Sequence, residues 1–142
     1  MAAKPKRLSS ADYARIADFR HALLRFLDFS SLAAEEAGLT PRQHQALLVI
    51  RGSPAATATV GRLAERLCLR PNTAAELAQR LEAAGLIFRE SCETDRRIVL
   101  LTLTPVGEAK LEVLTHAHRR ELRQCGPEMA AFLESLAEGD QD

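Results

Sequence analysis

The sequence predicts a mainly α fold with one small β-hairpin, arranged as a winged helix-turn-helix plus a helical dimerisation region. Three observations predict it. Alanine and leucine dominate a chain of 142 residues in which 46% are hydrophobic and 4% aromatic, and such residues lose little side-chain entropy in a helix. Helix starts recur as a capping threonine before proline, at Thr40-Pro41 and Thr104-Pro105. Between those starts lie two short stretches with helical apolar spacing and then one β-compatible hairpin.

The elements follow in order. Residues 1–9, with Lys4, Lys6 and Arg7, read as a flexible basic arm. From Ser10 to about Ala37, Ile16, Phe19, Leu23, Phe26 and Leu27 recur at three- and four-residue steps. Leu24, Phe29 and Leu32 widen that stripe, so this helix needs more than one packing partner. Gly38 closes it. Thr40-Pro41-Arg42-Gln43 is a capping box that opens a helix ending near Gly52-Ser53-Pro54.

A short helix from Thr59 to Leu67 turns inward Val60, Leu63, Ala64 and Leu67. Cys68, Leu69 and Arg70 connect it to a helix that Pro71 opens and Gly85 ends, with Ala74, Leu77, Ala78 and Leu81 on the buried face. Leu86–Glu90 and Ile98–Leu103 are the hairpin strands around a polar loop, Ser91–Arg97. The helix after Thr104 is expected to reach Gln124 and to break at Gly126-Pro127, before a last short helix, Glu128–Ala137. The domains expected are the arm (1–9), N-terminal helices for dimerisation and support (10–56), the winged helix-turn-helix (57–104), and C-terminal dimerisation helices with an acidic tail (105–142).

A formal net charge of zero argues against a protein that coats nucleic acid indiscriminately, but leaves room for a specific binder, because placement of charge decides. Cys68, Cys92 and Cys125 are odd in number and widely spaced, which suits a reducing cytosol rather than a disulfide framework. No apolar run reaches the length of a membrane span, and none follows the basic start as in a signal peptide. A cytoplasmic protein is expected.

No serine sits in a nucleophile-elbow or phosphate-loop context, so no enzyme is expected. His116 and His118, two residues apart, do not share a helix face, and His21 and His44 lie on other helices. Surface or interface histidines are the expectation, with no metal and no cofactor.

The informative stretch is 57–104. Two short helices joined by a tight turn leave one side of the second exposed, carrying Asn72, Thr73, Ala75, Glu76, Gln79 and Arg80. Gln79 and Asn72 suit adenine edges, and Arg80 suits guanine or phosphate. Asn72 and Thr73, at the positive helix end, also suit phosphate. An ordinary solvated face has the same composition. The hairpin shifts the balance, because its loop puts Arg96 and Arg97 at a tip, with Asp95 able to hold a guanidinium.

Leu63-Ala64-Glu65-Arg66-Leu67 through Leu81-Glu82-Ala83-Ala84-Gly85-Leu86-Ile87 resembles the MarR (multiple antibiotic resistance regulator) family, and so does Asp95-Arg96-Arg97 followed by Leu103-Thr104-Pro105-Val106-Gly107. The family's wing pattern of Asp, any residue, Arg, five residues, Leu-Thr, two residues, Gly is met at every fixed position. The resemblance implies a homodimer with interlocked terminal helices, recognition helices in the major groove and wings in the minor groove of a pseudo-palindromic duplex operator. It implies Arg97 as the wing arginine with Asp95 as its positioning partner. It further implies repression relieved by a small aromatic or phenolic effector, or by cysteine oxidation. Arg70 stands where the family commonly has a serine cap, a departure that leaves the helix without the usual N-cap side chain and makes Arg70 a candidate phosphate contact.

Further readings complete the set. Tyr13, Phe19 and Arg20 are candidates for the effector site, although dimer core is the plainer role for the aromatics, Phe26 and Phe29 among them. Arg15 is a second candidate partner for an effector carboxylate. Cys92 is the redox candidate, against an incidental exposed thiol; Arg89, Arg96 and Arg97 are near enough to lower its pKa, and Glu90 and Glu93 act against that. Cys68 reads as a buried small apolar residue, and Cys125 as part of the dimer interface. A winged helix used for protein contact without DNA, and a thiol-redox-sensing regulator of the same fold, remain as alternatives.

Overall fold

The computed structural model describes residues 5–139; Lys4 of the expected basic arm, and Asp140 and Asp142 of the acidic tail, lie outside them. The elements are helices α1 (Ser10–Glu36), α2 (Pro41–Gly52), α3 (Val60–Arg66) and α4 (Pro71–Ala83), strands β1 (Ile87–Ser91) and β2 (Val99–Leu103), and helix α5 (Pro105–Gly139). This is the mainly α architecture with a two-stranded hairpin that the sequence predicts.

The caps explain the boundaries. At the start of α2, Thr40 Oγ1 accepts from the Gln43 amide at 3.1 Å while Gln43 Oε1 accepts from the Thr40 amide at 3.0 Å, which satisfies two otherwise orphaned donors. Thr59 caps α3 in the same sense, accepting from the Arg62 amide at 3.0 Å. At the end of α4, Gly85 adopts φ +74°, and the Leu86 amide returns to the Leu81 carbonyl at 3.0 Å. A Cβ at that left-handed position would be strained, so glycine gives the sharp reversal into β1.

One expectation fails at the C-terminus. Helix α5 does not stop at Gly126-Pro127; Pro127 lies inside a continuous helix that runs to Gly139. Proline in a helix removes one backbone hydrogen bond and costs about 3 kcal/mol, which is a penalty and not a prohibition. The continued register brings Phe132 onto Phe19, with ring centroids 4.8 Å apart in a stacked pair, and this contact offsets part of that cost.

The chain forms two compact units, one spanning Ser31–Ala117 and the other combining the chain up to Ser30 with the stretch from His118. The expected boundaries at 56/57 and 104/105 both fall inside the first unit. The reason is packing: Ala46, Leu47 and Ile50 of α2 and Leu111 and Leu114 of α5 share one core with Leu63, Leu77, Leu81, Ile87 and Leu101. Strands β1 and β2 pair antiparallel from Ile87↔Leu103 to Ser91↔Val99. The outer edge of β2 is also covered, by a bridge between Thr59 and Leu100 and by the Leu101 amide donating to the Ala58 carbonyl at 2.8 Å.

In the second unit, His118 Nε2 lies 2.7 Å from Ser30 Oγ, with Phe26 and Phe29 edge-on to the imidazole. Among the described residues, no helix is long and apolar enough to cross a membrane.

Candidate nucleic-acid interface

Helix α4 owes its orientation to Ala74, Leu77, Ala78 and Leu81, all buried. Burying that face leaves Asn72, Thr73, Glu76, Gln79 and Arg80 exposed, with Ala75 half-buried at the edge. These residues therefore share the open side of one helix. Arg70 occupies the N-cap position in extended conformation and makes no side-chain cap, so its side chain stays exposed. The first amides of α4 remain open for an anion at the positive helix end.

The hairpin tip is built around Asp95. Its carboxylate accepts from the Arg97 amide at 3.0 Å, from Arg97 Nε at 3.1 Å and from Arg97 Nη2 at 3.1 Å. Each carboxylate oxygen thus takes one guanidinium nitrogen, the fork geometry suited to holding an arginine in one orientation. The Ile98 amide closes the turn on the Asp95 carbonyl at 3.0 Å. The Arg97 side chain is nonetheless 91% exposed, so the fork presents it to solvent instead of burying it. The same hydrogen bonds hold the Asp95 carboxyl below the usual aspartate range. Arg96 is exposed beside it.

The base of the hairpin is fixed by Thr104 and Gly107. Thr104 Oγ1 donates to the Gly85 carbonyl at 2.6 Å and accepts from the Gly107 amide at 3.1 Å, while the Thr104 amide reaches the Leu86 carbonyl at 3.0 Å. A Cβ on Gly107 would collide with the Leu86 carbonyl oxygen. The Leu-Thr-x-x-Gly end of the wing pattern is therefore a steric requirement for docking α5 on the root of β1.

Two cysteine expectations change. Cys68 is exposed, not buried, and takes φ +53° in the turn between α3 and α4. The turn's backbone demands that conformation, and it aims the side chain outward. The Cys92 thiol is held below its ordinary pKa chiefly by the Thr94 hydroxyl, 3.1 Å away. Of the nearby arginines, Arg89 is engaged with Glu82 and Arg97 with Asp95.

Of the effector candidates, Phe19 lines a cavity of about 750 Å³ in the second unit, together with Arg15, Arg25, Phe26, Cys125 and Phe132. Tyr13 and Arg20 are not among its lining residues; Tyr13 is exposed. Among the described residues, no three His, Cys, Asp or Glu side chains gather as a metal site would need.

Sequence reasoning overlooked one pair. Glu82, in the last turn of α4, binds Arg89 of β1, with Oε1 3.0 Å from Nη2 and Oε2 accepting from the Arg89 amide at 3.2 Å. Opposite charges flanking a helix-to-strand turn were the available signal.

Comparison with known proteins gives a consistent picture. Residues 37–98 match the model of the MarR family. The chain is 33% identical over 104 residues to the HTH-type transcriptional repressor MdtR of Bacillus subtilis (strain 168), covering 73% of this chain. It spans 61% of that relative's length. It superposes on AbsC, a MarR family transcriptional regulator from Streptomyces coelicolor, with a TM-score of 0.75 at 19% identity, covering 96% of this chain and 93% of the other. It also superposes on a second Streptomyces coelicolor MarR family regulator, solved in complex with DNA, with a TM-score of 0.70 at 21% identity, covering 98% and 93%.

Proposed function

We propose, from the premise that this chain belongs to the MarR family, that it is a sequence-specific DNA-binding regulator acting as a homodimer in the cytoplasm. One observation carries the reading: Arg97 is held in a fork by Asp95 yet is 91% exposed, in the same compact unit as the open polar side of α4. A solvated surface does not need an immobilised, outward-facing arginine. A wing arginine entering the minor groove beside a recognition helix does.

The DNA-contacting set is Arg70, Asn72, Thr73, Ala75, Glu76, Gln79 and Arg80 from α4 and its start, and Arg96 and Arg97 from the wing, with Asp95 as positioning partner. Glu76 on that side makes affinity moderate and salt-dependent. Two recognition helices spaced by about one DNA turn, roughly 34–36 Å, match a pseudo-palindromic operator. The exposed apolar residues Ile16, Leu24, Leu27, Leu133 and Leu136 support a partner covering the terminal helices.

Repression is proposed from the likeness to MdtR. Control by a small aromatic effector is supported by the cavity that Phe19, Arg15 and Arg25 line. Cys92, with its depressed thiol pKa, favours thiol oxidation at the wing as a second mode of control.

The test is selection of genomic fragments by the purified protein at two salt concentrations, followed by binding of the enriched duplex to Arg97→Ala. An enriched inverted repeat is expected. The variant should lose roughly 1–3 kcal/mol of binding, the range for one well-placed arginine contact. No enrichment from a folded dimer moves protein contact to first place; unchanged affinity of a folded variant removes the wing assignment.

A further inference from the structure

The hairpin is a two-stranded ribbon, and such a ribbon is only marginally stable by itself in water. What sets its angle therefore matters as much as what sits at its tip. At the middle of the ribbon, Arg89 faces Leu101, and the outward amides of both residues are taken. The Leu101 amide donates to the Ala58 carbonyl at 2.8 Å on one edge. On the other edge the Arg89 amide donates to Glu82 Oε2 at 3.2 Å, while Arg89 Nη2 donates to Oε1 at 3.0 Å. The first clasp comes from the backbone leading into α3. The second comes from a side chain of α4 itself, so it ties that helix directly to the ribbon.

We propose that Glu82 and Arg89 are positioning residues that lock the wing to the recognition helix, so that α4 and Arg97 meet DNA as one rigid body. The proposal rests on the DNA-binding reading. Glu82 uses both carboxylate oxygens on one residue of β1, one on the main chain and one on the side chain. Rotation of the ribbon about the Gly85 turn breaks both hydrogen bonds together. The root of the hairpin, at Thr104 and Gly85, survives such a rotation, so the latch governs the direction of the tip and not the presence of the wing. Misplacement of a contact by even an ångström weakens it steeply.

The sign of the effect separates this role from simple electrostatics. Removing a carboxylate from a DNA-facing unit relieves repulsion with phosphate and tightens binding. The latch demands the opposite. The experiment uses the full-length chain and the duplex enriched by genomic selection, with affinity by fluorescence anisotropy, hydroxyl-radical footprinting and thermal unfolding in parallel. Glu82→Ala is expected to bind about tenfold more weakly. It should lose protection in the flanking minor groove and keep it at the central major-groove contacts, with little change in unfolding temperature. Glu82→Gln, whose amide oxygen still accepts from the Arg89 amide, is expected to fall between wild type and Glu82→Ala. Glu90→Ala, one residue along β1, removes an exposed charge and is expected to bind as tightly as wild type or more so.

Wild-type-like affinity and footprint in Glu82→Ala would overturn the latch and leave the DNA-binding reading standing. Uniform loss of protection together with a fall in unfolding temperature also overturns it, because Glu82 would then be merely structural. A wild-type protein that footprints no selected fragment overturns the DNA-binding reading, and the latch with it.

Discussion

The two compact units differ in how much of their apolar surface they bury: the fully buried hydrophobic residues among those described all lie in Ser31–Ala117. Their core runs from Ala34 to Leu114 without leaving that unit, although Leu48, Phe88, Val106 and Val113 stay exposed on its outside. In the other unit, Ile16 stays 55% exposed and Leu133 54%, although both lie on helices with regular apolar spacing. A winged helix-turn-helix of this size has enough layers to bury its own faces. Two terminal helix segments do not. The comparison teaches that one unit builds a core from its own residues, while the other leaves open the apolar face that the proposed second copy would cover.

Breaking that comparison begins with the largest effect. Leu24 and Leu27, each 48% exposed, are predicted to be covered in the dimer. Full burial of a leucine is worth about 1.5–3 kcal/mol. The double variant Leu24→Glu, Leu27→Glu should therefore raise the dimer dissociation constant by roughly a hundredfold or more. Sedimentation velocity across a concentration series measures it. A wild-type protein that sediments as a monomer would dissolve the contrast between the units.

Gly107 tests the self-sufficient unit. Its added Cβ would strike the Leu86 carbonyl, a backbone atom that cannot swing aside. Gly107→Ala should destabilise the fold by about 2–4 kcal/mol, in the range reserved for steric strain at special sites. Denaturant unfolding reads the change, and the oligomeric state should stay as in wild type at concentrations where the protein is folded. A neutral result would mean that α5 docks more loosely on β1 than the structure has it.

The contrast also explains what the sequence made legible. Caps at Thr40 and Thr104 and the apolar periods of α3 and α4 are local signals, and local signals place the winged helix-turn-helix to within a residue or two. That Asp95 can hold a guanidinium at the tip was readable because Arg96 and Arg97 lie within one turn of it, and the family resemblance implied Arg97 as the one held. The Glu82–Arg89 pair was not readable, since its meaning depends on how a helix and a strand meet after the Gly85 reversal. Pro127 misled for a related reason: a local penalty was weighed without the Phe19–Phe132 stack that the continued helix forms. Cys68 misled because burial was inferred from residue type, whereas the turn's left-handed backbone directs the side chain to solvent.

A smaller effect sharpens the wing assignment. The Asp95 carboxyl is held low by hydrogen bonds from the Arg97 side chain and then its amide. A depressed folded-state value means that the fork's contribution is present above the unfolded pKa and is lost as pH falls through the folded one. Wing order should therefore be constant around neutrality and decline only below the ordinary carboxylate range. Carboxyl titration by NMR checks this, and Arg97→Ala should move the Asp95 midpoint upward. A midpoint that stays put would mean the fork is not occupied in solution.

The smallest effect returns to the turn between α3 and α4. Cys68 sits at φ +53°, where a Cβ crowds the backbone at a cost of roughly 1–2 kcal/mol. Glycine relieves that crowding but brings a more disordered unfolded chain, which offsets part of the gain. Cys68→Gly should thus stabilise the protein by about 0.5–1 kcal/mol, seen as a modest rise in unfolding temperature. Because the thiol is exposed and lies in the turn and not on the open side of α4, DNA affinity should not change. Stabilisation with lost affinity would instead place Cys68 in the DNA interface, and a fall in stability would mean that its side chain packs against the turn.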